Sequence, residues 1–204
     1  MFVPHLLRSK DRWRPSRQKC TSNRTAALAV RNDPSMTVSL LVISDREPLS
    51  WLLTEQRWAL TAGRASKAPA EGDELLLYTT RGCYRNPTRD RGLVMGRAVV
   101  TSEPQKLHRP VSFRDREFST GFDVKVTGVA PLHTGVELAP LAGSLAFLPD
   151  RATWSVRLRR SLIPLNDDDA ATLSERLDPL LRPREEVLPD YQAAAKLSSR
   201  PEMR

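Results

Sequence analysis

Short apolar runs separated by turn residues constrain the fold of this chain more than any other feature. Residues 37–44, 74–80 and 92–101 are nearly continuous apolar runs, each bounded by Asp, Gly or Pro. Runs of this length with turn residues at their ends are typical of buried strands. Residues 122–129 add a strand in which Phe and Val alternate with other residues. The sequence therefore predicts a mostly β domain.

Two short helices are predicted beside these strands. Pro48 suits the first turn of a helix that carries the apolar residues of 49–53. Asn166 is followed by three aspartates, which together supply an N-cap and an acidic first turn. Apolar residues then recur at spacings of three and four as far as Leu180, which indicates one face of a second helix.

The remaining segments carry weaker patterns. Residues 58–60 are predicted to be briefly extended, residues 153–158 to form a strand, and residues 81–91 to form a loop. Residues 105–120 are polar and predict a connection with a helical turn at most. Five or six strands with about two short helices indicate a small open barrel of the α+β class.

The net charge of +8 is distributed unevenly. Residues 1–36 hold eight basic and two acidic residues (+6), residues 37–165 hold 18 and 13 (+5), and residues 166–204 hold 6 and 9 (−3). The leader 1–36 has several interpretations: a disordered tail, a phosphate-gripping arm, a transit peptide, or a mis-assigned start with Met36 as the true one. Residues 37–182 are predicted to form the domain, and residues 183–204 a flexible tail.

Cysteine and histidine spacing argues against several classes of site. Cys20 and Cys83 are far apart, and His5, His108 and His133 are equally scattered, so neither a disulfide scaffold nor a metal site is predicted. No cofactor is expected either, because the chain has no glycine-rich phosphate loop. No stretch approaches the roughly 18 apolar residues of a membrane helix, so no membrane partner is expected. Two thiols without an export signal suit a cytoplasmic location.

Three segments together resemble the EVE domains of the PUA-like superfamily, which are related to ASCH domains. They are residues 58–60 (Trp-Ala-Leu), residues 72–78 (Gly-Asp before an apolar strand that ends in Tyr), and residues 92–100 (Gly-Leu-Val-Met-Gly-Arg-Ala-Val-Val). Residues 154–165, which precede the acidic helix, resemble the closing strand of that family. The resemblance covers roughly residues 37–180.

This resemblance implies a small PUA-like open pseudo-barrel whose aromatic-lined cleft binds RNA, modified bases in DNA or related ligands. It implies a non-catalytic, nucleic-acid-binding module. Two alternatives stay open. One is a small ASCH-like enzyme acting on a modified nucleoside, for which Lys67, Thr79 and Glu74 would be the candidate residues. The other is a protein-interaction module.

The segment from Tyr78 to Arg91 is the richest candidate site from the residues alone. It combines aromatic rings, hydroxyl and amide groups, and several arginines. Recognition of a base needs a surface for stacking, polar groups for the base edge, and guanidinium groups for phosphate. The competing interpretation is a solvated polar loop.

Three further features complete the candidate set. Trp58 is placed in the cleft by the family resemblance, whereas Trp51 is interpreted as core. Alternation along residues 154–159 predicts two arginines on one strand face, a possible phosphate rail. Residues 113–116 are interpreted as solvated loop. The predicted ligand-binding residues are Trp58, Tyr78, Thr79, Thr80, Arg81, Tyr84, Arg85, Arg91, Arg157 and Arg159.

Overall fold

A computed structural model describes residues 36–60, 68–86 and 89–196 of the chain. The predicted leader, except for Met36, lies outside the described residues, and so do Lys67 and residues 197–204. The described residues form eight strands, four α-helices and two 3-10 helices. The strands are β1 Val38–Ile43, β2 Arg57–Leu60, β3 Glu74–Thr79, β4 Leu93–Val100, β5 Gln105–Phe113, β6 Arg116–Val129, β7 Val136–Glu137 and β8 Leu162–Pro164. The helices are α1 Arg46–Glu55, α2 Trp154–Arg157, α3 Asp167–Leu177 and α4 Arg184–Lys196, with 3-10 turns at Ala139–Leu141 and Asp178–Leu180.

The strands form one open, curled sheet in the order β2-β6-β4-β3-β1-β8, with β5 beside β6 and β7 beside β4. Only β1 and β3 pair in parallel, while the other strand pairs are antiparallel. A parallel pair is usually covered on both faces, which is why β1 and β3 are almost uniformly apolar. The predicted mostly β, α+β fold is confirmed.

Two apolar clusters lie on opposite faces of the sheet. The first joins alternate residues of the strands, such as Leu75 and Leu77, to buried leucines of α1 and to Val187 of α4. The second joins the intervening residues, such as Leu76, to α3 and to the irregular segment that follows β7. Helices thus cover both faces, and the functional surfaces must lie on loops, at edges or on the outer side of these layers.

The predicted caps are confirmed at α3. The Asn166 side chain accepts a hydrogen bond from the Asp169 N–H at 2.7 Å, as an N-cap residue should. The Asp169 carboxylate in turn accepts the N–H groups of Ala146 and Phe147, at 2.9 and 3.0 Å. This contact ties the start of α3 to the segment beneath it.

Residues 105–120 are a β-hairpin, so the predicted polar connection is wrong. β5 and the first half of β6 pair in antiparallel register around a turn at residues 114–115. Within β5 only Leu107 is buried. β5 is held mainly by backbone pairing with β6 and buries few side chains. Its sequence therefore lacks the alternation of apolar and polar residues that would predict a strand.

Residues 153–158 do not form a strand, and the predicted phosphate rail is wrong as a strand face. Residues 154–157 form the single turn α2, and the closing strand β8 begins only at Leu162. Trp154 and Leu158 are both half-buried against the second cluster, at the spacing of one helical turn. Trp154, Val156 and Leu158 are spaced two residues apart, which is also the spacing of side chains on one face of a strand.

Residues 184–196 form α4 rather than a flexible tail. Val187 and Tyr191, four residues apart, are buried against the first cluster. The Arg184 guanidinium donates to the Leu53 carbonyl at 2.7 Å, which fixes the start of α4 against the end of α1. The helical spacing of apolar residues is hard to recognise in the sequence, because α4 contains Pro189 and its apolar face is short. None of the helices in the described ranges is both long enough and apolar enough to cross a bilayer.

Candidate nucleic-acid interface

Tyr84, the predicted stacking residue, is an anchor of the core. Its ring packs against the first cluster, and its hydroxyl donates to the Tyr191 hydroxyl. Tyr191 in turn donates to the Ala130 carbonyl at 2.9 Å. Burial raises the pKa of both tyrosines. The ring of His133 meets that of Tyr84 edge to face, with centroids 4.9 Å apart, and Tyr84 is half-buried.

The strand end that precedes this loop is also buried. Tyr78 and Thr79 are 2% and 1% exposed, and burial raises the pKa of Tyr78 to about 12. The Thr79 hydroxyl donates to the Leu93 carbonyl at 3.4 Å. Thr80 is half-buried, and its N–H donates to the Ile43 carbonyl. Tyr78 and Thr79 therefore offer no surface to a ligand, and Thr80, just after β3, is only partly accessible.

The residues considered for an enzyme do not converge. Glu74 and Thr79 stand at opposite ends of β3 and on opposite faces of it, and Lys67 lies outside the described residues. The Glu74 carboxylate pairs with Arg97 at 2.8 Å. Among the described residues, no group of three or more His, Cys, Asp or Glu side chains could hold a metal ion.

The arginines of the predicted loop face acidic partners. Arg85, in the left-handed region at φ 62°, lies 3.8 Å from Asp45 and 3.9 Å from Glu47. Arg91 lies 3.5 Å from Glu137. Arg81 is exposed at the start of the loop. Neighbouring carboxylates therefore offset much of the positive charge that the sequence places here.

The other predicted residues are dispersed. Trp58 on β2 is half-buried and packs against the first cluster, opposite Phe122 of β6. Arg157 and Arg159 are exposed in and just after α2, a segment that packs on the second cluster. The structure thus brings together the loop residues but joins neither Trp58 nor the two α2 arginines to them.

A second aromatic group, which the sequence analysis missed, lies on the β5–β6 hairpin. Phe113 meets Trp51 of α1 edge to face, with ring centroids 5.6 Å apart, and the ring centroid of Phe118 lies 5.6 Å from that of Phe113. All three rings are half-buried, so each keeps part of its surface in solvent. We call Trp51, Phe113 and Phe118 the aromatic ledge. Its only sequence signal was two Phe residues among Arg and Ser, which suited a solvated loop equally well.

A cleft of about 220 Å³ adjoins the ledge. Two exposed arginines line it, Arg109 on β5 and Arg57 on β2, together with Glu55 of α1. Arg57 is held by Asp123 at 2.7 Å. The hairpin tip is fastened near the N-terminus of α1, where Arg114 pairs with Asp45. We call this the hairpin cleft, and it is lined by Trp51, Glu55, Arg57, Leu107, His108, Arg109 and Val111.

A second cleft, of about 390 Å³, lies between the β3–β4 loop and the β6–β7 loop. Tyr84 and Arg91 of the predicted set contribute to it, together with Arg89 and His133. We call it the loop cleft. Its lining residues are Tyr84, Arg89, Arg91, Leu93, His133, Thr134, Gly135 and Glu137.

No protein-family model and no curated protein matches the chain. Among solved structures it is similar to the Toxoplasma CPSF4-YTH domain in apo form, at 17% identity over 74% of this chain and 90% of that one, with a TM-score of 0.48. It is also similar to the Mmi1 YTH domain in complex with RNA, at 10% identity over 71% and 79%, with a TM-score of 0.47. A structural-genomics protein from Pseudomonas putida shares 19% identity over 68% and 97%, with a TM-score of 0.46. Each TM-score is below 0.5, so these similarities carry no inference about function.

Proposed function

We propose that this chain is a non-catalytic module that binds single-stranded RNA or modified DNA, with an unpaired base held on the aromatic ledge. The observation that carries the proposal is the group of three partly exposed rings beside a cationic cleft. It keeps the function predicted from the resemblance to EVE domains. It moves the site from the β3–β4 loop to the β5–β6 hairpin.

Stacking on a side chain requires a ring that is open to solvent, and each of the three residues of the ledge is partly exposed. Phe113 contacts both Trp51 and Phe118, so a base that stacks on one ring of the ledge adds to an existing group of aromatic contacts. Base stacking on an aromatic side chain is worth about 1–3 kcal/mol and tolerates any base, because every base has a π face. A modified base with an added methyl group would bury more apolar surface there.

The cations around the ledge suit the backbone of the same strand. Within residues 105–118 there are four Lys or Arg (Lys106, Arg109, Arg114, Arg116) against Asp115 and Glu117, a net charge of 4 − 2 = +2. Arg109 lines the hairpin cleft and is exposed. Guanidinium groups spread along a hairpin can contact successive phosphates of one strand. Such contacts make the binding affinity dependent on salt.

The competing explanation is that the three rings only fasten the hairpin onto α1. The ring contacts would then contribute to stability and not to binding. The two explanations predict different results when a ring of the ledge is replaced by a branched aliphatic side chain. Leucine fills much of the volume of phenylalanine but has no π face, so it preserves packing far better than it preserves stacking.

The test is the substitution Phe113→Leu in the full chain. Affinity for fluorescent single-stranded RNA and DNA, with and without methylated bases, is measured by anisotropy, and stability by thermal unfolding. We expect affinity to fall roughly 5- to 150-fold, which corresponds to about 1–3 kcal/mol, with little change in Tm. Comparison of the four ligands identifies the preferred sugar and base.

Phe147→Leu is the matched control. Phe147 belongs to the second cluster, on the opposite face of the sheet, so the same substitution there should lower stability and leave affinity unchanged. The proposal is wrong if no single strand binds saturably to the unmodified protein. It is equally wrong if Phe113→Leu binds as tightly as the parent.

A further inference from the structure

The loop cleft is built around an unusual backbone conformation at its β6–β7 wall. His133 adopts the left-handed region at φ 62°, which costs energy for a residue with a Cβ. Gly135 follows at φ 154°, where a Cβ would lie 2.5 Å from the Val94 carbonyl oxygen, so only glycine fits. Strained residues held by their surroundings occur preferentially at ligand sites. Here the strained turn sets the imidazole ring over Tyr84.

Hydrogen-bond donors dominate the wall formed by the β3–β4 loop. The Arg89 Nη2 atom lies 3.2 Å from the His133 Nε2 atom. A guanidinium group can only donate, so Nε2 must accept, and the ring is neutral with its proton on Nδ1. Arg91 reaches the same cleft, and its side chain is 69% exposed.

The acidic groups near the cleft oppose these donors only in part. Asp90 is buried, and its carboxylate accepts the Asn86 N–H at 2.9 Å within its own loop. Glu137 is the one carboxylate that lines the cleft among the described residues, 3.5 Å from Arg91. Asp90 also lies 4.0 Å from the Arg89 Nε atom, so each of the two guanidinium groups has one carboxylate nearby, and both share the cleft with one neutral imidazole.

We infer that the loop cleft is an oxyanion site, formed by Arg89, Arg91 and His133, that takes a phosphate monoester. Guanidinium groups match the geometry and charge of phosphate oxygens, and the Thr134 hydroxyl lines the same cleft. The volume of about 390 Å³ exceeds what the phosphate alone needs and leaves room for an attached nucleoside. The monoester would be either the 5′ end of a nucleic acid or a free nucleotide.

This site would bind its anion together with a proton. When the anion takes the Arg89 N–H groups, the His133 Nε2 atom loses its donor and can itself bind a proton and donate to the anion. Partial burial and the Arg89 charge lower the pKa of the free His133, whereas Asp90 raises it. Besides these two, the charged or titratable groups facing the ring are Arg91, Glu137 and Tyr84, and burial keeps the Tyr84 proton in place. Affinity should therefore rise as pH falls.

Sulfate is the first probe, because it keeps its double charge between pH 8 and pH 6, so any pH dependence belongs to the protein. Binding to the full chain is measured by calorimetry at constant ionic strength. We expect saturable binding, with an affinity for sulfate that increases as the pH is lowered from 8 to 6. The full increase is about tenfold for each pH unit by which bound sulfate raises the pKa of His133. His133→Ala should remove the pH dependence, and Arg89→Gln should remove the binding.

Arg176→Gln is the matched control, since Arg176 is an exposed arginine of α3 that lies outside the cleft. It should bind sulfate like the parent. If Arg89→Gln fails to fold, Arg91→Gln replaces it, because that side chain is largely in solvent. Absence of saturable sulfate binding overturns the inference, as does binding that both arginine variants retain.

Two further ligands distinguish the sources of the phosphate. Preference for a 5′-phosphorylated over a 5′-hydroxyl oligonucleotide, lost in Arg89→Gln, identifies a nucleic-acid end. Binding of adenosine monophosphate without that preference identifies a free nucleotide, and binding of neither overturns the assignment to a monoester. The inference is independent of the aromatic ledge, because Phe113→Leu should leave sulfate binding unchanged.

Discussion

The β3–β4 loop and the β5–β6 hairpin carry the same kinds of residue, yet the structure uses them differently. Both interleave aromatic residues with arginines. In the loop, Tyr84 is locked to Tyr191, and Arg85 and Arg91 face carboxylates. In the hairpin, Phe113 and Phe118 are half-buried like Tyr84, but their ring contacts are with each other and with Trp51. Composition alone could not separate an anchor from a binding surface.

The difference arises from what packs behind each segment. Helix α4 brings Tyr191 underneath the loop, so the loop aromatic packs against the first cluster. The hairpin lies against α1, where Phe113 meets Trp51 and Arg114 pairs with Asp45. An aromatic and basic segment therefore indicates a site only when the elements that lie against it are known.

Alkaline titration should give the largest contrast between the two regions. The three tyrosines of the chain, Tyr78, Tyr84 and Tyr191, all have a raised pKa because of burial, and two of them hold the loop. A raised pKa in the folded state means that stability is intact below about pH 10, the unfolded value. It is lost as pH rises from there toward the folded value of about 12 for Tyr78.

We expect tyrosinate absorbance and loss of secondary structure to appear together in one transition. The measurement is ultraviolet absorbance and circular dichroism on the same samples. A tyrosine that ionises near pH 10 while the fold remains intact would contradict the burial of the loop anchor.

Tyr84→Ala should come next in size. Removing this ring and its hydrogen bond to Tyr191 should cost about 3 kcal/mol of unfolding free energy, as for other large-to-small core changes. Affinity for single strands should stay unchanged under conditions where the variant is folded. Urea denaturation measures the first effect and anisotropy the second. A large loss of affinity with unchanged stability would return the base-binding site to the loop.

Arg85→Gln should have the smallest effect. Arg85 is 45% exposed and faces Asp45 and Glu47 only at 3.8 and 3.9 Å, and such surface pairs contribute less than about 1 kcal/mol. We expect Tm and affinity to remain close to those of the parent, in the same two assays. A reduced salt dependence of nucleic-acid binding would show instead that Arg85 contacts a phosphate.

Most of the fold was predictable because it rests on local patterns. The apolar runs of β1, β3 and β4 and the Asn166 cap each fix an element by themselves. β5 was missed because backbone pairing stabilises it, and α4 was missed because only two buried residues hold it to the core. These contacts come from residues distant in sequence, which no local pattern reports.

The candidate sites were less predictable than the fold. Sequence analysis placed Tyr84, Arg89 and Arg91 in one segment and the structure keeps them in one cleft, but it adds His133 from the β6–β7 loop. The ledge unites Trp51 with Phe113 across a helix and a hairpin. Trp51 had been interpreted as core and Phe113 as solvated loop, and only their contact shows that both share one surface.

The pairing of β8 with β1 has a consequence for synthesis on the ribosome. β1 emerges first, and β3 covers one of its edges, but Ile163 of β8 is needed to pair with Leu40 on the other. Until that segment has left the exit tunnel, the nascent chain displays an apolar strand with an open edge, a template for intermolecular pairing. Premature termination between β3 and β8 should therefore yield aggregating fragments rather than a smaller working domain.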